Sequence, residues 1–313
     1  MAMQNPRQAY GETLLELGRK NRDIVVLEAD LSKSTMTCLF EKEFPERFFE
    51  MGIGEANMTS FAGGLSLTGK IPFTNSFAVF AAGRAFDQIR QGVSIPKLNV
   101  KIVGSSAGLS DFGDGATHQS VEDVAIMRAI PNMTVLVPMD ANETRLMTRK
   151  MVEYRGPVYM RINRHDLPDL FPEGAEFEIG RSYLIREGED VVVFATGIMV
   201  SRAVEAAEKM SAEGISVRVV NVSSLKPTDE NDIRRFASGV KGIVTAEEHT
   251  LVGGLASVIT YILRGSGIPV ISIGIEDRFG QSSHSYDELL AEYTLTADHL
   301  AASVRKLVRS ASE

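Results

Sequence analysis

The chain has 313 residues, 44% hydrophobic and 24% charged, as expected of a soluble globular protein with two domains. The net charge of −8 argues against binding to nucleic acid or to an anionic membrane surface. No apolar run approaches the roughly 20 residues of a membrane span and no signal peptide pattern is present, so we expect a cytoplasmic protein. The single cysteine, Cys38, excludes an intrachain disulfide and a cysteine metal cluster.

The first half of the chain alternates between short β-rich runs and helical patterns. The predicted strands cover residues 23–30, 71–76, 98–104, 133–138 and 156–162. The predicted helices cover residues 7–20, 55–69, 79–94, 119–130 and 141–154. Alternation of this kind predicts an α/β domain with a doubly wound, mainly parallel sheet that is covered by helices.

A stretch rich in proline and acidic residues, NRHDLPDLFPEGAEFE (163–178), interrupts the alternation and is typical of a linker. The alternation then resumes. The later strands are predicted at 190–196, 215–222, 242–248 and 268–275, and the later helices at 199–213, 229–238, 254–264 and 296–310. We therefore predict two doubly wound α/β domains, residues 1–165 and 180–313, joined by a linker at 166–179.

A glycine-rich loop, SAGLSDFGDGATHQ (106–119), follows one of the predicted strands. It lacks both the Gly-Lys-Ser/Thr of a Walker loop and the dinucleotide pattern G-x-G-x-x-G, so nucleotide binding is not supported. It does contain Asp111, Asp114 and His118 at the carboxyl end of a parallel strand, where open α/β sheets bind ligands. Turn formation by Asp and Gly is the alternative interpretation.

Aromatic and basic residues give further candidates. Phe77, Phe80 and Phe86 have helical spacing, which fits either an ordinary core stripe or an aromatic platform for a flat heterocycle. Arg161 and Arg164 follow a predicted strand, where an arginine either grips an anion bidentately or carries a solvated charge.

Two acidic sites precede predicted helices. Glu55, in FFEMGIGEANMTSFAGGLSLTG (48–69), is either a helix-start charge or a carboxylate buried for a function. Glu247, Glu248 and His249 are consecutive, so their side chains point in different directions and do not form a metal site. We expect these three residues to open a helix and to complement the charge of its N-terminus.

Five segments, in this order, resemble the transketolase family: GIGEANM, TNSFAVFAAGRAFDQIR, DGATHQSVEDVAIMRAIPNMTVLVPMDANE, GPVYMRINR and TAEEHTLVGGLAS. The resemblance extends over about residues 5–310 and concerns the C-terminal half of the family, a pyrimidine-binding domain followed by a C-terminal domain. Because the chain is short, it resembles the small subunit of a split transketolase. Deoxyxylulose-phosphate synthase and the β subunits of 2-oxoacid dehydrogenases share the same two-domain plan.

The resemblance implies thiamine diphosphate as the cofactor. Family members place a carboxylic acid beside the 1′ nitrogen of its aminopyrimidine ring, and this role falls to Glu55. Phe77 and Phe80 correspond to aromatic residues that line the pyrimidine pocket, whereas Gly83 replaces a third one. Asp30, in LEADLS, matches a family position near the cofactor.

For the sugar substrate, the resemblance assigns two residues of the glycine-rich loop. Asp114 would bind a hydroxyl group of the donor ketose, and His118 would bind a hydroxyl group and take part in proton transfer. Both roles are implied by the resemblance to the family, and the spacing of these residues alone does not predict them.

Recognition of a substrate phosphate would fall to Arg164, with Arg7 and Ser34 in supporting roles. The sequence departs from the family at Ser106, where a second histidine that helps to hold the sugar phosphate is common. This departure leaves room for a substrate other than a pentose phosphate, either another polyol or one with a differently placed anion.

Gly113-Asp114-Gly115 followed by Asn142 has the spacing of the magnesium motif of thiamine enzymes. Its context is wrong, because no apolar strand leads into it and Asn142 lies at a predicted helix start, where capping explains it. We expect no metal site here. The Mg²⁺ ion would be held by a partner subunit that carries the diphosphate-binding domain, in a heterotetramer with two copies of each chain.

The sequence thus predicts the C-terminal subunit of a thiamine diphosphate-dependent transketolase. It would transfer a two-carbon ketol unit from a ketose, phosphorylated or not, to an aldose, and only together with its partner. The alternatives are a subunit for 2-oxoacid or deoxyxylulose-phosphate chemistry and a non-catalytic binding or regulatory subunit with the same fold.

Overall fold

The computed structural model describes residues 2–172 and 174–311. Its strands are β1 (Met3–Gln4), β2 (Ile24–Glu28), β3 (Phe48–Glu50), β4 (Ile71–Phe77), β5 (Lys101–Ser105), β6 (Thr134–Leu136), β7 (Val158–Arg161), β8 (Leu167–Pro168), β9 (Tyr183–Arg186), β10 (Val191–Ala195), β11 (Val217–Asn221), β12 (Ser224–Lys226), β13 (Gly242–Thr250) and β14 (Val270–Ile275).

Its helices are α1 (Pro6–Lys20), α2 (Ser32–Thr35), α3 (Cys38–Glu43), α4 (Glu55–Leu67), α5 (Ala78–Gly83), α6 (Phe86–Gln88), α7 (Asp123–Ala129), α8 (Ala141–Glu153), α9 (Met199–Ser211), α10 (Glu230–Phe236), α11 (Leu255–Ile262), α12 (Tyr286–Glu292) and α13 (Ala297–Ser310). Short 3-10 helices cover Pro45–Arg47 and Gly115–Thr117, and a π-helix covers Ile89–Ser94.

Six strands of the first half of the chain, together with β12 of the second half, form a seven-stranded sheet in the order β12–β6–β7–β5–β4–β2–β3. Neighbouring strands run parallel except β12, which is antiparallel to β6. Every residue of β2 and of β5 is buried, as expected for a parallel sheet covered on both faces. Helices α4 and α5 pack against β4 and β5 and so lie beside the central strands.

The second half builds a five-stranded sheet in the order β14–β13–β10–β11–β9. Only β9 is antiparallel to its neighbour, β11. Helices α9 and α13 pack against each other and against this sheet, and α11 packs against β13. The protein therefore has an α/β fold with two mainly parallel sheets, which confirms the fold class predicted from the sequence.

The two halves share structure. Strand β12 follows β11 in the chain but joins the sheet of the first half. One apolar cluster contains Val135 and Tyr159 of the first sheet together with Phe194 and Val220 of the second. The segment between the sheets is packed as well, because β8 pairs with β1 and its Leu167 is buried.

Several elements differ from the prediction. The helix expected at 79–94 is divided into α5, α6 and the π-helix, because Ala85 leaves the helical conformation at φ −101° and ψ 11°. The helix expected at 119–130 begins only at Asp123. No helix among the described residues is long and apolar enough to cross a membrane.

Candidate active site

The predicted site residues converge on the carboxyl edge of the first sheet. Asp30 follows β2, Phe77 ends β4, the loop 106–119 follows β5 and Arg164 follows β7. These four strands are neighbours and run parallel, so their carboxyl ends meet at one edge. This topology brings residues from distant parts of the sequence to one place.

A cleft of about 340 Å³ opens at this edge. Its lining residues are Ala29, Asp30, Leu31, Ile53, Glu55, Phe80, Arg84, Thr117 and His118. Four residues that the sequence analysis assigned, Asp30, Glu55, Phe80 and His118, thus share one cavity. Asp30 contributes from a positive-φ conformation (61°), held by its backbone N–H donating to the Glu50 carboxylate.

Glu55 is the first residue of α4, and only 3% of its surface is exposed. Arg84 Nη1 lies 3.1 Å from its Oε1 and 3.3 Å from its Oε2, and the Ser76 hydroxyl lies 3.4 Å from Oε1. The Arg84 guanidinium also lies 4.0 Å from the centroid of the Phe80 ring. Because a buried carboxylate is costly without a counter-charge, Arg84 stabilises Glu55. No role for Arg84 was predicted from the sequence.

The aromatic residues have unequal positions. The rings of Phe77 and Phe80 are nearly parallel, 16° apart, with centroids 6.2 Å apart. The half-buried Phe80 lines the cleft, whereas Phe77 is 5% exposed and stands behind it. The His118 ring meets Phe80 edge-on, with centroids 5.3 Å apart. Phe86, in contrast, lies in α6 and packs against the apolar core.

The loop that carries His118 is held by close packing. His118 Nδ1 is 2.9 Å from the Thr117 hydroxyl, and Asp114 lies exposed before the 3-10 helix. Gly115 has φ +73°, and a Cβ there would lie 2.6 Å from the Ser282 Oγ. A residue with a side chain at position 115 would therefore be strained and would push the loop away from the second half.

A charged cluster adjoins the cleft on the side of Phe77. Arg164 Nη1 lies 2.6 Å from Asp111 Oδ2, and the Arg164 guanidinium is 5.9 Å from the Phe77 centroid. Burial raises the pKa of Asp111, although the charge of Arg164 opposes this shift. Arg7 Nη1 donates to the backbone carbonyl of Ser34 at 2.8 Å. Burial lowers the pKa of Arg7, and the charge of Arg164 lowers it further.

Ser106 does not line the cleft. It is fully buried with φ +52°, and its hydroxyl has no hydrogen-bond partner among the described residues. Ser34 lies near Arg7, and it is its backbone carbonyl that the Arg7 guanidinium contacts. The structure thus separates these two serines from the residues that share the cavity.

Residues of the second half of the chain hold in place the loops that follow β5 and β7. Glu248 accepts hydrogen bonds from the Leu109 N–H at 2.8 Å and the Tyr286 hydroxyl at 2.7 Å. Asn163 Nδ2 donates to the same hydroxyl, and the His165 ring stacks on Tyr286 with centroids 4.5 Å apart. Burial raises the pKa of Glu248 to about 7. These contacts join the loops after β5 and β7 to α12.

The expectation that Glu247, Glu248 and His249 open a helix is wrong. They belong to β13 and are buried, because the strand continues past the charged residues into the interface between the halves. Glu247 nonetheless complements a helix N-terminus from a distance, accepting hydrogen bonds from the N–H groups of Leu255 and Ala256 in α11.

Arg161 does not reach the cleft. It is 5% exposed and pairs with Asp123, with Nε 3.0 Å from Oδ2. Its Nη2 donates to the backbone carbonyls of Ser120 and Glu248. The guanidinium is therefore a structural tie between the two halves. Of the two arginines near the end of β7, only Arg164 lies beside the cleft.

Asn142 does not cap a helix, contrary to expectation. It is the second residue of α8, and the cap is Asp140, whose carboxylate accepts from the Glu143 N–H at 2.8 Å. Within residues 2–172 and 174–311, no group of three or more His, Cys, Asp or Glu side chains is placed to hold a metal ion.

The cavity fits a flat, nitrogen-containing ring. It combines a buried carboxylate, Glu55, with an aromatic wall, Phe80, and with apolar lining from Ala29, Leu31 and Ile53. A carboxyl group can exchange hydrogen bonds with a ring nitrogen, while the aromatic and apolar walls cover the faces of the ring.

Comparison with known proteins agrees with this geometry. Residues 2–169 match the pyrimidine binding domain of transketolase, and residues 180–300 match the transketolase C-terminal domain. The chain therefore belongs to the transketolase family. Within that family it is the C-terminal, pyrimidine-domain subunit of a split transketolase, as its relatives show.

A putative transketolase C-terminal section from Methanocaldococcus jannaschii is 46% identical, over 95% of this chain and 94% of that protein. A 6-deoxy-6-sulfo-D-fructose transketolase subunit from Clostridium sp. is 40% identical, over 98% of this chain and 93% of that subunit. A solved structure described as a split gene transketolase, inactive β4 tetramer, is 48% identical with a TM-score of 0.89, over 98% of this chain and 99% of that chain. The family implies a transferase role and thiamine diphosphate as the cofactor.

Proposed function

We propose that this chain supplies the catalytic pyrimidine side of a thiamine diphosphate-dependent split transketolase that moves a two-carbon ketol unit from a ketose to an aldose. The observation that carries the proposal is the position of Glu55, a buried carboxylate in a cleft that it shares with Phe80 and His118. A carboxyl group so placed suits a hydrogen bond to a pyrimidine nitrogen.

The roles of the other residues follow from their positions. When bound, thiamine diphosphate supplies the electron sink that allows a carbon–carbon bond beside a carbonyl group to break. Glu55 would hold the ring nitrogen, Phe80 would pack on the ring and Phe77 would support Phe80. His118 faces the same cavity from the opposite loop, where its imidazole can exchange a proton with a substrate hydroxyl. Asp114, in the same loop, would bind a second hydroxyl.

The diphosphate and its Mg²⁺ ion would be bound by a separate subunit. The two matched domains are the pyrimidine binding domain and the C-terminal domain of the family, and the similar chain solved as a β4 tetramer is described as inactive. These findings support an enzyme that needs a partner with the diphosphate-binding domain. We propose a heterotetramer in which two copies of this chain associate with each other and each pairs with one partner.

The test is reconstitution of this chain with the candidate partner. The pair is expected to bind thiamine diphosphate in the presence of Mg²⁺, by calorimetry, and to convert a ketose and an aldose into a new ketose and aldose. Turnover of pyruvate without ketol transfer would favour 2-oxoacid or deoxyxylulose-phosphate chemistry instead. No cofactor binding by the assembled pair would favour a non-catalytic subunit.

A further inference from the structure

We propose that Asp111 determines the substrate class, because its carboxylate neutralises Arg164 and so selects a ketose whose far end is an uncharged hydroxyl group and not a phosphate. The inference rests on the proposed ketol transfer. It assigns a specificity-determining role to a residue of the glycine-rich loop that has no part in the chemistry proposed above.

The Asp111–Arg164 ion pair lies beside the cleft, on the side of Phe77. The Arg164 guanidinium and the His118 ring both adjoin Phe77, at 5.9 Å and 6.3 Å from its ring centroid. Asp111 lies close enough to Asp114 and His118 for their charges to affect its pKa. The ion pair is therefore the next group along the edge of the sheet beyond the cleft. The far end of a sugar chain held at His118 would lie beside this pair.

The geometry of the ion pair leaves the Arg164 guanidinium only partly free to bind a substrate. Asp111 is 4% exposed, and its Oδ2 is 2.6 Å from Arg164 Nη1. The loop after β7 is held in place by the Arg164 N–H, which donates to the Ser110 hydroxyl at 3.3 Å. A guanidinium binds a phosphate best when its fork of N–H donors is free for two parallel hydrogen bonds. Here one arm of the fork is already bound to a carboxylate of the same protein.

The charged side chains around the ion pair balance one another. The cationic side chains of this region are Arg7 and Arg164, and the anionic ones are Asp111, Asp114 and the exposed Asp166. The region therefore has no positive surplus. A phosphate monoester brings a charge of about −1.5 to −2 at pH 7, which needs such a surplus. A sugar hydroxyl, by contrast, brings no charge and can accept a hydrogen bond from the guanidinium of Arg164, whose side chain is 35% exposed.

Of the described polar residues nearby, His165 and Ser106 add no cation beside the pair. Burial lowers the pKa of His165, which lies 3.0 Å by its Nε2 from the Ser110 carbonyl oxygen, so its imidazole is neutral at pH 7. Ser106, at the base of the same loop, is uncharged and fully buried.

The experiment measures kcat/KM of the reconstituted pair for two matched donors, D-fructose and D-fructose 6-phosphate, with one unphosphorylated aldose as acceptor. Hydroxypyruvate serves as a third donor. It transfers the same ketol unit and loses its carboxylate as CO₂, so it has no sugar chain that could contact the Asp111–Arg164 pair. We expect the unphosphorylated ketose to be preferred by at least about ten-fold. A preference of that size for the phosphorylated ketose overturns the inference.

Two variants test the residue itself. In Asp111→Asn the preference is expected to shift toward the phosphorylated donor by at least about ten-fold, because Arg164 regains an uncompensated charge. The comparison variant is Asp166→Asn, which removes the same charge from the region but leaves the Arg164 pair intact. Because the Asp166 carboxylate is exposed and screened by solvent, this variant is expected to shift the donor preference less than Asp111→Asn does. Equal donor ratios in both variants and the wild type contradict the role of Asp111.

The failure of this inference and that of the proposed function are distinguishable. If the wild-type pair turns over hydroxypyruvate but prefers the phosphorylated ketose, the proposed ketol transfer stands and the role of Asp111 is contradicted. If no donor supports ketol transfer, not even hydroxypyruvate, both the proposed function and the role of Asp111 are contradicted. The wild-type donor ratio decides the question even if Asp111→Asn does not fold.

Discussion

The carboxylate of Glu55 and the guanidinium of Arg84 form an ion pair in the wall of the cleft, with Nη1 3.1 Å from Oε1 and 3.3 Å from Oε2. The two residues are not equally accessible, since the Glu55 side chain is 3% exposed and that of Arg84 is 49% exposed. Arg84 thus brings its charge from the solvent side to a buried acid, and one nitrogen, Nη1, contacts both carboxylate oxygens.

Removing the cation tests what it contributes to stability. We expect Arg84→Met to lower the free energy of unfolding, because it leaves Glu55 buried without a counter-charge and, among the described residues, with only the Ser76 hydroxyl as a hydrogen-bond donor. Solvent screens the half-exposed guanidinium, so the loss falls in the lower part of the roughly 1–3 kcal/mol typical of an unsatisfied buried group. Urea unfolding of the isolated chain measures it. The control is Arg90→Met, an exposed arginine on the same segment, and equal stability of the two variants would exclude a role for the pair.

The aromatic wall makes a prediction about the cofactor. Phe80→Leu keeps an apolar side chain but removes the flat face that covers a bound ring. Such a contact contributes about 0.5–1.5 kcal/mol, so the dissociation constant of thiamine diphosphate should rise up to about ten-fold. Calorimetry on the reconstituted pair gives this value. Phe279→Leu changes an exposed phenylalanine outside the cleft and should leave affinity unaltered.

His249 predicts a pH dependence of stability. Its Nδ1 is 2.7 Å from the Thr250 carbonyl oxygen and its Nε2 accepts from the Ala125 N–H, an arrangement that only the neutral ring can satisfy. Burial lowers its pKa from 6.5 to about 4. Between these values the unfolded chain binds more protons than the folded chain. The stabilising contribution of the neutral ring is therefore complete above pH 6.5 and declines as the pH falls toward 4, by about 3 kcal/mol in total.

The measurement for His249 is the difference between wild type and His249→Gln across this pH range. Glu247 and Glu248 act in the opposite direction, because burial raises the pKa of each to about 7. Their contribution is common to both proteins and cancels in the difference, apart from the coupling between Glu247 and His249, whose Oε2 and Nδ1 are 3.7 Å apart. Parallel stability curves for the two proteins between pH 4 and 6.5 would show that His249 does not titrate as described.

The long elements of this fold were predictable from sequence, whereas its short ones were not. Runs such as β10 and β14 show clear β-rich patterns, but β12 has three residues and gains its place by pairing with β6. Helix α12 carried a usable signal that the sequence analysis missed. Ser285 followed by Glu288 is a capping pattern, and the Ser285 hydroxyl does accept from the Glu288 N–H.

The site shows a similar division. Residues placed by strand ends and by family resemblance, such as Glu55 and His118, lie together in the cleft. The partners of charged residues were not predictable, because Arg84 reaches Glu55 and Asp111 reaches Arg164 through the packing of loops that are distant in sequence. Likewise, Glu248 has the local pattern of a surface charge and becomes buried only when the two halves meet.

The measurement that tests the central claim most directly is the rate of ketol transfer by the reconstituted pair with Glu55→Gln in this chain. The substitution keeps the size of the side chain but removes its ability to exchange a proton. The wild-type pair is expected to turn over, and kcat of the variant should fall by about 10²–10⁴-fold, with thermal unfolding and subunit assembly unchanged. A variant that folds, assembles and retains kcat within about two-fold of the wild type would contradict the assignment of Glu55 and the function built on it.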